Sequence, residues 1–392
     1  MDKTAAPQAA PLAPAARPEV ETLQAYSAPL EGRRGLLRLD FNENTVGPSP
    51  RVVEAIRAMP ADHYAIYPEY DGLRQAVVAA ITAQAGLAAS GLQPAQVALF
   101  NGVDAAIHAV FHAYGASGDR LLTTSPTFGY YTPCARMQGM EIEAIPYQLP
   151  GFLFPLEQIR AALSGPAGAG RPPRLLLICN PNNPTGTRLA AAAVLKLAAA
   201  APDTLVVVDE LYEAFTGDSV LPLRLESAGA SGDPFAALPN LLVLRSLSKT
   251  AGIAGLRIGF AIGAAEVVDR LARVSGPYDV NSFAVTAAFA ALADQAYVDN
   301  YVAEVLRAKA WLLEQLRQSG LRHHADGGNY LLIWPKIPAD QMEQSLRQAG
   351  ILVRSMAGKP LIDGCLRVSI GSEAQMRQFW RAWCAIDCQK DA

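Results

Sequence analysis

The sequence lacks an excess of charge of either sign. Its 33 lysines and arginines stand against 36 aspartates and glutamates, so the formal net charge is only −3. A chain without a positive field is not typical of proteins that bind nucleic acid or anionic membranes. Charged residues make up 18% of the chain and hydrophobic residues 51%, a balance that excludes an intrinsically disordered protein. At roughly 150 residues per domain, the 392 residues predict two or three domains.

Cysteines are also few, and none forms a C-x-x-C pair. The five are widely scattered, which favours neither a disulfide framework nor a zinc site and fits a reducing cytoplasm. Residues 1–20 are rich in alanine and proline but lack the apolar core of a secretory signal, so we expect a loose tail there. The most apolar window, Leu189–Ala201, contains Lys196 and is too short to cross a bilayer. We therefore expect a cytoplasmic protein.

Short apolar runs alternate with helical patterns from about residue 50 onward. This alternation is typical of α/β proteins in which helices cover a mostly parallel sheet. Seven runs predict a seven-stranded sheet in one large domain. The predicted strands are Gln96–Phe100, Leu121–Thr123, Glu141–Ile145, Leu175–Cys179, Leu205–Val208, Leu241–Arg245 and Ile258–Ala261.

The end of the chain predicts a smaller α+β domain. A long helical stretch, Ser282–Gln318, precedes three apolar runs at Tyr330–Trp334, Ile351–Arg354 and Leu366–Ile370. The predicted division has three parts: a tail and arm over 1–45, a large domain over 46–276 and a small domain over 277–392.

The motif NPNNPTG (180–186) directly follows a predicted strand. Its prolines and glycine give a rigid turn at the carboxyl end of the strand, where open α/β sheets bind ligands. Its asparagine amides offer hydrogen bonds to such a ligand. An ordinary turn explains the composition equally well.

The motif VVVDELY (206–212) places an acid, Asp209, at the end of another apolar strand, with Tyr212 three residues later. A carboxylate buried there is costly unless it meets a cation, and the phenol could bond the same partner. The alternative is a helix N-cap, a common role of aspartate after a strand.

The motif SLSK (246–249) follows a third strand and precedes GLRIG (255–259). Lys249 offers an amine nucleophile, while Ser246, Ser248 and Arg257 offer a phosphate-binding cluster. A solvated loop lysine is the alternative. Taken together, the three motifs require a ligand with an aldehyde, a basic ring nitrogen and a phosphate, and pyridoxal phosphate has all three.

These motifs resemble those of the fold-type I aminotransferases and, among them, the histidinol-phosphate aminotransferase family. The resemblance covers nearly the whole chain and implies an α/β fold-type I pyridoxal-phosphate-dependent transferase, with a mostly parallel seven-stranded sheet and a smaller α+β domain. Further motifs that carry it are DFNENTVGPSP (40–50), YPEYDG (67–72), NGVD (101–104), PTFGYY (126–131), AGLRIGF (254–260) and ILVRSMAGKPLIDGCLRVSIG (351–371).

The resemblance implies roles for the residues that would bind pyridoxal 5′-phosphate. Lys249 would bind the cofactor covalently and move the substrate's proton, Asp209 would hold the ring nitrogen protonated, and Asn183 and Tyr212 would bond the ring oxygen. Phe128 would lie against the ring. The phosphate would be held by Ser246, Ser248, Arg257, the main-chain N–H groups of Val103 and Asp104, and Tyr67 of a second subunit, which implies a homodimer.

Substrate contacts are implied as well. Arg367 matches the arginine that clamps the α-carboxylate in bidentate fashion. Arg354 and Tyr26 match positions near the phosphate of the substrate's side chain, although a surface strand residue is the alternative for Arg354. Asn44 and Asn329 match further substrate contacts, and Asn183 is expected to face the substrate too.

We therefore expect transamination between L-histidinol phosphate and 2-oxoglutarate, which gives imidazole acetol phosphate and L-glutamate in histidine biosynthesis. One alternative is an aminotransferase for aromatic or specialised amino acids, and another is a decarboxylase resembling threonine-phosphate decarboxylase. A regulator that only holds the cofactor would need a DNA-binding segment, which is not visible before residue 40. His108 and His112 have the i, i+4 spacing of metal ligands, but no adjacent acid supports a metal site. Tyr130 and Tyr131 are expected in the core.

Overall fold

The computed structural model describes residues 13–25, 30–165 and 171–387. Strands occur as three sheets, and their bounds follow the predicted apolar runs closely. The strands are β1 (Leu37–Arg38), β2 (Val97–Phe100), β3 (Arg120–Ser125), β4 (Glu141–Pro146), β5 (Leu175–Cys179), β6 (Leu205–Asp209), β7 (Leu241–Ser246), β8 (Gly259–Gly263), β9 (His323–His324), β10 (Tyr330–Ile333), β11 (Ile351–Leu352), β12 (Arg354–Ser355) and β13 (Leu366–Ser369).

Helices cover both the large sheet and the smaller sheets. Several begin at a side-chain cap; Ser49, for example, accepts a hydrogen bond from the N–H of Arg51 at the start of α2. The helices are α1 (Pro18–Glu21), α2 (Pro50–Arg57), α3 (Asp71–Gln84), α4 (Val103–Tyr114), α5 (Tyr131–Met137), α6 (Leu156–Ser164), α7 (Ala191–Ala200), α8 (Val220–Ala228), α9 (Ala265–Ala272), α10 (Ser282–Leu292), α11 (Gln295–Gln318), α12 (Ala339–Gln348) and α13 (Glu373–Asp387).

The large sheet has seven strands in the order β2-β8-β7-β6-β5-β3-β4. β8 runs opposite to the other six strands of this sheet, so the predicted seven-stranded and mostly parallel sheet is confirmed. Every residue of β5 and β6 is buried, because helices pack on both faces of the sheet. This burial explains why the sequences LLLIC and LVVVD are almost continuously apolar.

The smaller sheets lie in the C-terminal part of the chain. Strands β12, β13, β10 and β9 form an antiparallel sheet in that order, whereas β1 pairs in parallel with β11. The predicted strand Ile351–Arg354 is therefore two strands with different partners. A second hydrophobic core, which includes Leu312, Tyr330 and Trp383, joins these strands to α11, α12 and α13.

The predicted helical stretch Ser282–Gln318 is two helices, because the chain turns at Ala293 and Asp294. Asp294 does not cap α11 with its side chain and instead accepts a hydrogen bond from Ser49 Oγ at 2.6 Å. The predicted domain boundary at residue 276 stays a prediction: α10 follows it in the chain, yet Ala284 belongs to the core of the large sheet.

The predicted tail falls mostly outside the described residues, and the four-residue helix α1 lies at its end. No helix within residues 13–25, 30–165 and 171–387 is both long enough and apolar enough to cross a membrane.

Candidate active site

The candidate site lies where three neighbouring parallel strands end. β5, β6 and β7 are followed by the three polar motifs, so their carboxyl ends bring those motifs together, as expected for an open α/β sheet. A cavity of about 890 Å³ opens at this edge. The predicted residues that line it are Val103, Asp104, Phe128, Asn183, Asp209, Tyr212, Ser246, Ser248, Lys249, Arg257 and Arg367.

Lys249 presents its amine to the cavity just beyond β7. Its Nζ donates a hydrogen bond to the main-chain oxygen of Phe41 at 2.9 Å. Burial, and to a smaller extent the positive charge of Arg367, lower the pKa of Lys249 to about 8. A substantial fraction of this amine is neutral near physiological pH, so it can act as a nucleophile or a base.

Asp209 ends β6 and is only 4% exposed. Its Oδ2 accepts a hydrogen bond from the hydroxyl of Tyr131 at 2.6 Å, and its Oδ1 accepts a longer one from the N–H of Leu211 at 3.3 Å. Burial raises the pKa of Asp209 to about 6. No ion pair among the described residues involves it. Such a carboxylate suits a ligand that carries a protonated nitrogen.

Hydroxyl, guanidinium and main-chain N–H groups meet on another side of the cavity. Ser246 Oγ lies 2.8 Å from Ser248 Oγ, and Arg257 Nη2 lies 3.0 Å from Asp104 Oδ2. Helix α4 begins here without a side-chain cap, so its first N–H groups are available to an anion. This combination of donors suits a phosphate.

Two glycines make room for this phosphate cradle. A Cβ at Gly102 would lie 2.4 Å from Arg257 Nη2, and a Cβ at Gly259 would lie 2.7 Å from the nitrogen of Val103. Gly102 also has a φ of 80°, which side chains other than glycine rarely adopt. The start of α4 and Arg257 can approach each other only because both positions lack a side chain.

Three consecutive residues from the N-terminal part of the chain complete the site. Asp40 O accepts a hydrogen bond from Arg367, Phe41 O accepts one from Lys249, and Asn42 Nδ2 donates to Tyr212 Oη at 3.0 Å. Sequence reasoning quoted this stretch only as part of a motif and gave these three residues no role. Two of the contacts use main-chain oxygens, which leave no signal in the sequence.

Tyr131 is a second contact that sequence reasoning missed. It is 1% exposed and lies in the core, as expected. Its hydroxyl nevertheless donates a hydrogen bond to Asp209. The only signal for this contact in the sequence was that a tyrosine expected in the core needs a partner for its hydroxyl.

Asn183 and Arg367 bond each other across the cavity. Arg367 Nη1 donates to Asn183 Oδ1 at 2.7 Å. Tyr212, on the same wall, is buried, and burial raises its pKa above the usual value. The phenol therefore keeps its proton at physiological pH and can donate a hydrogen bond to a ligand oxygen.

Other predicted residues do not line this cavity. Asn44 is buried and donates to the main-chain oxygen of Thr250, next to the site lysine. Asn329 is buried and donates to the main-chain oxygen of Asn42 at 3.1 Å. Tyr67 lies on the surface, 67% exposed. Tyr26 lies outside the described residues.

Arg354 lines an adjoining cavity of about 840 Å³. The two cavities share the lining residues Phe128, Asn183 and Arg367, so they adjoin each other in the space beside the strand ends. The roles assigned to all of these residues stay predictions, but the structure brings most of them into this space.

His108 and His112 lie near each other on α4, with ring centroids 5.9 Å apart. His108 Nε2 is hydrogen-bonded to the hydroxyl of Tyr130, and burial lowers the pKa of His108. Within the described part of the chain, no group of three or more His, Cys, Asp or Glu side chains is arranged to hold a metal ion.

The donor set fits pyridoxal 5′-phosphate on three separate counts. The amine of Lys249 suits the aldehyde, the buried carboxylate of Asp209 suits the protonated ring nitrogen, and the cradle at the start of α4 suits the phosphate. The glycines of that cradle let Arg257 and strand β8 pack closely against the start of α4, where a Cβ would clash.

Curated relatives match this chain over most of its length. The histidinol-phosphate aminotransferase of Paracoccus denitrificans is 32% identical over 92% of this chain and 92% of its own length. The histidinol-phosphate aminotransferase of Symbiobacterium thermophilum is 34% identical over 90% of each chain.

Solved structures show the same fold. The histidinol-phosphate aminotransferase of Sinorhizobium meliloti, solved in complex with pyridoxal-5′-phosphate, aligns with a TM-score of 0.76 at 24% identity and covers 95% of this chain and 96% of its own. The family model described as aminotransferase class I and II matches residues 34–382. That match includes every site residue placed above, and the chain therefore belongs to the family of class I and II aminotransferases.

Proposed function

We propose that the chain transfers an amino group from L-histidinol phosphate to 2-oxoglutarate and so forms imidazole acetol phosphate and L-glutamate in histidine biosynthesis. The observation that carries the substrate assignment is the pair of opposed arginines, Arg354 and Arg367, of which Arg367 lines the same cavity as the site lysine. The names of the curated relatives support the same substrate.

Each residue of the cofactor half has a distinct task in this reaction. Pyridoxal 5′-phosphate, when bound, supplies a ring that withdraws electrons from the substrate's Cα. Lys249 would take the proton from the substrate's Cα and deliver it to C4′ of the cofactor. Asp209 keeps the ring nitrogen protonated, while Asn183 and Tyr212 hydrogen-bond the ring oxygen.

Arg354 and Arg367 are directly opposite each other on the antiparallel strands β12 and β13. Like charges in this position destabilise a sheet, and an anion bound between them would relieve the repulsion. No acidic side chain lines the adjoining cavity in the described part of the chain, where Arg136 and Lys359 add further positive charge. The cavity therefore suits a substrate with an anionic group distant from its amine.

The two arginines would serve two half-reactions. L-Glutamate carries an α-carboxylate, which Arg367 would hold by a bidentate pair. L-Histidinol phosphate has no carboxylate, and its phosphate would lie against Arg354. One enzyme can then accept an amino acid and a phosphate monoester in turn.

The proposal includes a homodimer in which Tyr67 contacts the cofactor phosphate of the partner subunit. Tyr67 stacks on Tyr278 with ring centroids 3.9 Å apart, and Tyr64 stacks on Phe283 close by in sequence. Tyr64, Tyr67 and Tyr278 are more than half exposed. Exposed aromatic side chains of this kind are typical of protein interfaces.

We also propose a cytoplasmic location. The four cysteines that the structure describes are not in disulfides, and three of them are buried. Free buried thiols are usual in a reducing compartment. The histidine pathway, in which the proposed reaction takes place, supports the same location.

A panel of single-turnover half-reactions tests the substrate. The enzyme would be loaded with cofactor and mixed separately with L-histidinol phosphate, L-phenylalanine, L-tyrosine and L-glutamate, and the amino transfer would be followed spectroscopically. We expect L-histidinol phosphate to react at least tenfold faster per unit concentration than the aromatic amino acids. A tenfold preference for phenylalanine would replace this function with that of an aromatic aminotransferase.

The same panel would include L-threonine phosphate, with assays for both CO₂ and the oxo product. Release of CO₂ without amino transfer would identify a decarboxylase. No reaction with any phosphate monoester would contradict the role of Arg354 as well as the proposed substrate.

A further inference from the structure

Tyr131 begins helix α5 and is almost entirely inside the molecule, at 1% exposure. The hydroxyl of a buried phenol usually has a hydrogen-bond partner. The hydroxyl of Tyr131 donates to Oδ2 of Asp209 at 2.6 Å, a short bond. The tyrosine thus contacts the carboxylate that is expected to hold the ring nitrogen of the cofactor.

This hydrogen bond acts on both the charge and the orientation of Asp209. Burial raises the pKa of Tyr131 well above its usual value, so the phenol keeps its proton and remains a donor. Burial also raises the pKa of Asp209, whereas the bond from Tyr131 lowers it and so favours the charged carboxylate. Because Oδ1 has only the longer contact with Leu211, this oxygen keeps acceptor capacity for a ligand.

The ring of Tyr131 makes a second contact within the site. It meets Phe128 edge to face, with centroids 5.5 Å apart and planes at 81°. Phe128 lines the cavity and is expected to lie against the cofactor ring. Tyr131 therefore contacts both Asp209, which is expected at the edge of the cofactor ring, and Phe128, which is expected against its face.

We propose that Tyr131 is a positioning residue for the cofactor ring. Its hydroxyl holds Asp209 ionised and in one orientation, and its ring holds Phe128 in place. This inference rests on the cofactor chemistry of the proposed function but not on the identity of the amino donor.

The test compares Tyr131→Phe with Tyr147→Phe. Both substitutions remove one buried hydroxyl and keep the ring, but the hydroxyl of Tyr147 bonds Thr124 at 2.8 Å instead of Asp209. Three quantities would be measured: the melting temperature, the dissociation constant for pyridoxal 5′-phosphate added to the apoprotein, and the ¹⁵N chemical shift of the ring nitrogen in labelled cofactor.

We expect Tyr131→Phe to weaken cofactor binding about tenfold, the loss typical of a hydrogen bond to a charged group, and to shift the ¹⁵N resonance toward that of a neutral pyridine. Tyr147→Phe should change neither quantity by more than about twofold. In an Asp209→Asn background, Tyr131→Phe should have much less effect, because the charge it acts on is gone.

A ¹⁵N shift that equals the wild-type value in Tyr131→Phe would overturn the inference, and so would equal losses in both tyrosine variants. A purely structural role would lower the melting temperature without moving the ¹⁵N shift. Because none of these measurements uses a substrate, they stand even if L-histidinol phosphate proves not to be the amino donor. Failure of the wild-type protein to bind the cofactor would instead refute the proposed function.

Discussion

Lys249, Asp209 and Ser246 stand at the ends of long strands of the large sheet, whereas Arg354 and Arg367 stand on strands of two and four residues. In the proposed function, the first group belongs to the cofactor half of the site and the second to the substrate half. Strands β6 and β7 have neighbours on both sides in the seven-stranded sheet. The outer strand β12 has a neighbour on one side only.

The charges of the two halves also differ. In the cofactor half, Asp209 is hydrogen-bonded by Tyr131, and Arg257 is paired with Asp104. In the substrate half, Arg354 faces another arginine, and the cavity around it has no acidic lining in the described residues. The cofactor half is therefore organised by the protein itself, while the substrate half gains most from an anionic ligand. Substitutions in the first should slow the reactions of every substrate, and substitutions in the second should select among substrates.

The largest effect should follow removal of the site amine. Lys249→Ala should lose the visible absorbance of the lysine-bound cofactor and about 10⁴-fold or more in turnover for every substrate, because Lys249 is the base assigned to the proton transfer at Cα. Lys196→Ala, at an exposed position on α7, is the matched control. Turnover by Lys249→Ala within tenfold of the wild type would contradict the assignment.

Asp209→Asn should come next in size. The neutral amide cannot hold the ring nitrogen protonated, so turnover should fall by about 10²–10³-fold, while the cofactor still binds through its phosphate. Stopped-flow measurement of proton abstraction from Cα in a single turnover checks this. A rate near that of the wild type would remove Asp209 from the mechanism.

Arg354→Ala should separate the two halves of the site most clearly. Loss of one member of a desolvated charge pair costs about 2–5 kcal/mol, so kcat/KM for L-histidinol phosphate should fall roughly thirtyfold or more. The reaction with L-glutamate should change little. Arg367→Ala should show the reverse pattern, and Arg381→Ala, at an exposed position on α13, should change neither. Equal losses for both substrates in Arg354→Ala would contradict the assignment of Arg354 to L-histidinol phosphate alone.

The pH dependence of cofactor attachment should report the environment of Lys249. Only the neutral amine attacks the cofactor aldehyde, and the pKa of Lys249 is lowered to about 8. The attachment rate should therefore rise about tenfold per pH unit below that value and level off above it. Arg367→Gln removes a positive charge that lowers this pKa, so the midpoint should move to higher pH. A midpoint close to that of an ordinary lysine would contradict the described burial.

The smallest effect should come from Tyr67. Tyr67→Phe removes one hydrogen bond to the charged cofactor phosphate and should weaken cofactor binding by about tenfold, whereas Tyr64→Phe on the same surface should have no effect. Mixing Lys249→Ala chains with Tyr67→Ala chains should restore some activity, because one site in each mixed dimer is then native. Sedimentation as a monomer at the assay concentration would refute the dimer.

The sequence predicted the cofactor half well for a physical reason. Asp209 and Lys249 each follow an apolar run, and parallel strands bring their carboxyl ends to one edge of a sheet. The bounds of the seven strands of the large sheet were accurate to within two residues, and burial on both faces of β5 and β6 makes their runs continuous in the sequence. The apolar runs and the polar motifs that follow them were enough to expect these side chains at one edge of the sheet.

The remaining contacts could not be predicted, because they join segments that are far apart in the chain. Phe41 and Asp40 act through main-chain oxygens, which every residue has. Arg354 and Arg367 become neighbours only through the register of β12 and β13. Tyr131 was expected in the core from its apolar surroundings, and its bond to Asp209 depends on how α5 packs against the sheet.

The pairing of β1 with β11 affects the order in which parts of the protein fold during synthesis. Residues 40–42 leave the ribosome early, but β1, which precedes them, pairs with Ile351–Leu352, and Asn42 bonds Ser369 near the end of the chain. The seven strands of the large sheet are complete by residue 263. A nascent chain can therefore assemble that sheet long before the acceptor of the Lys249 amine is held in place, so the active site is among the last parts of the molecule to form.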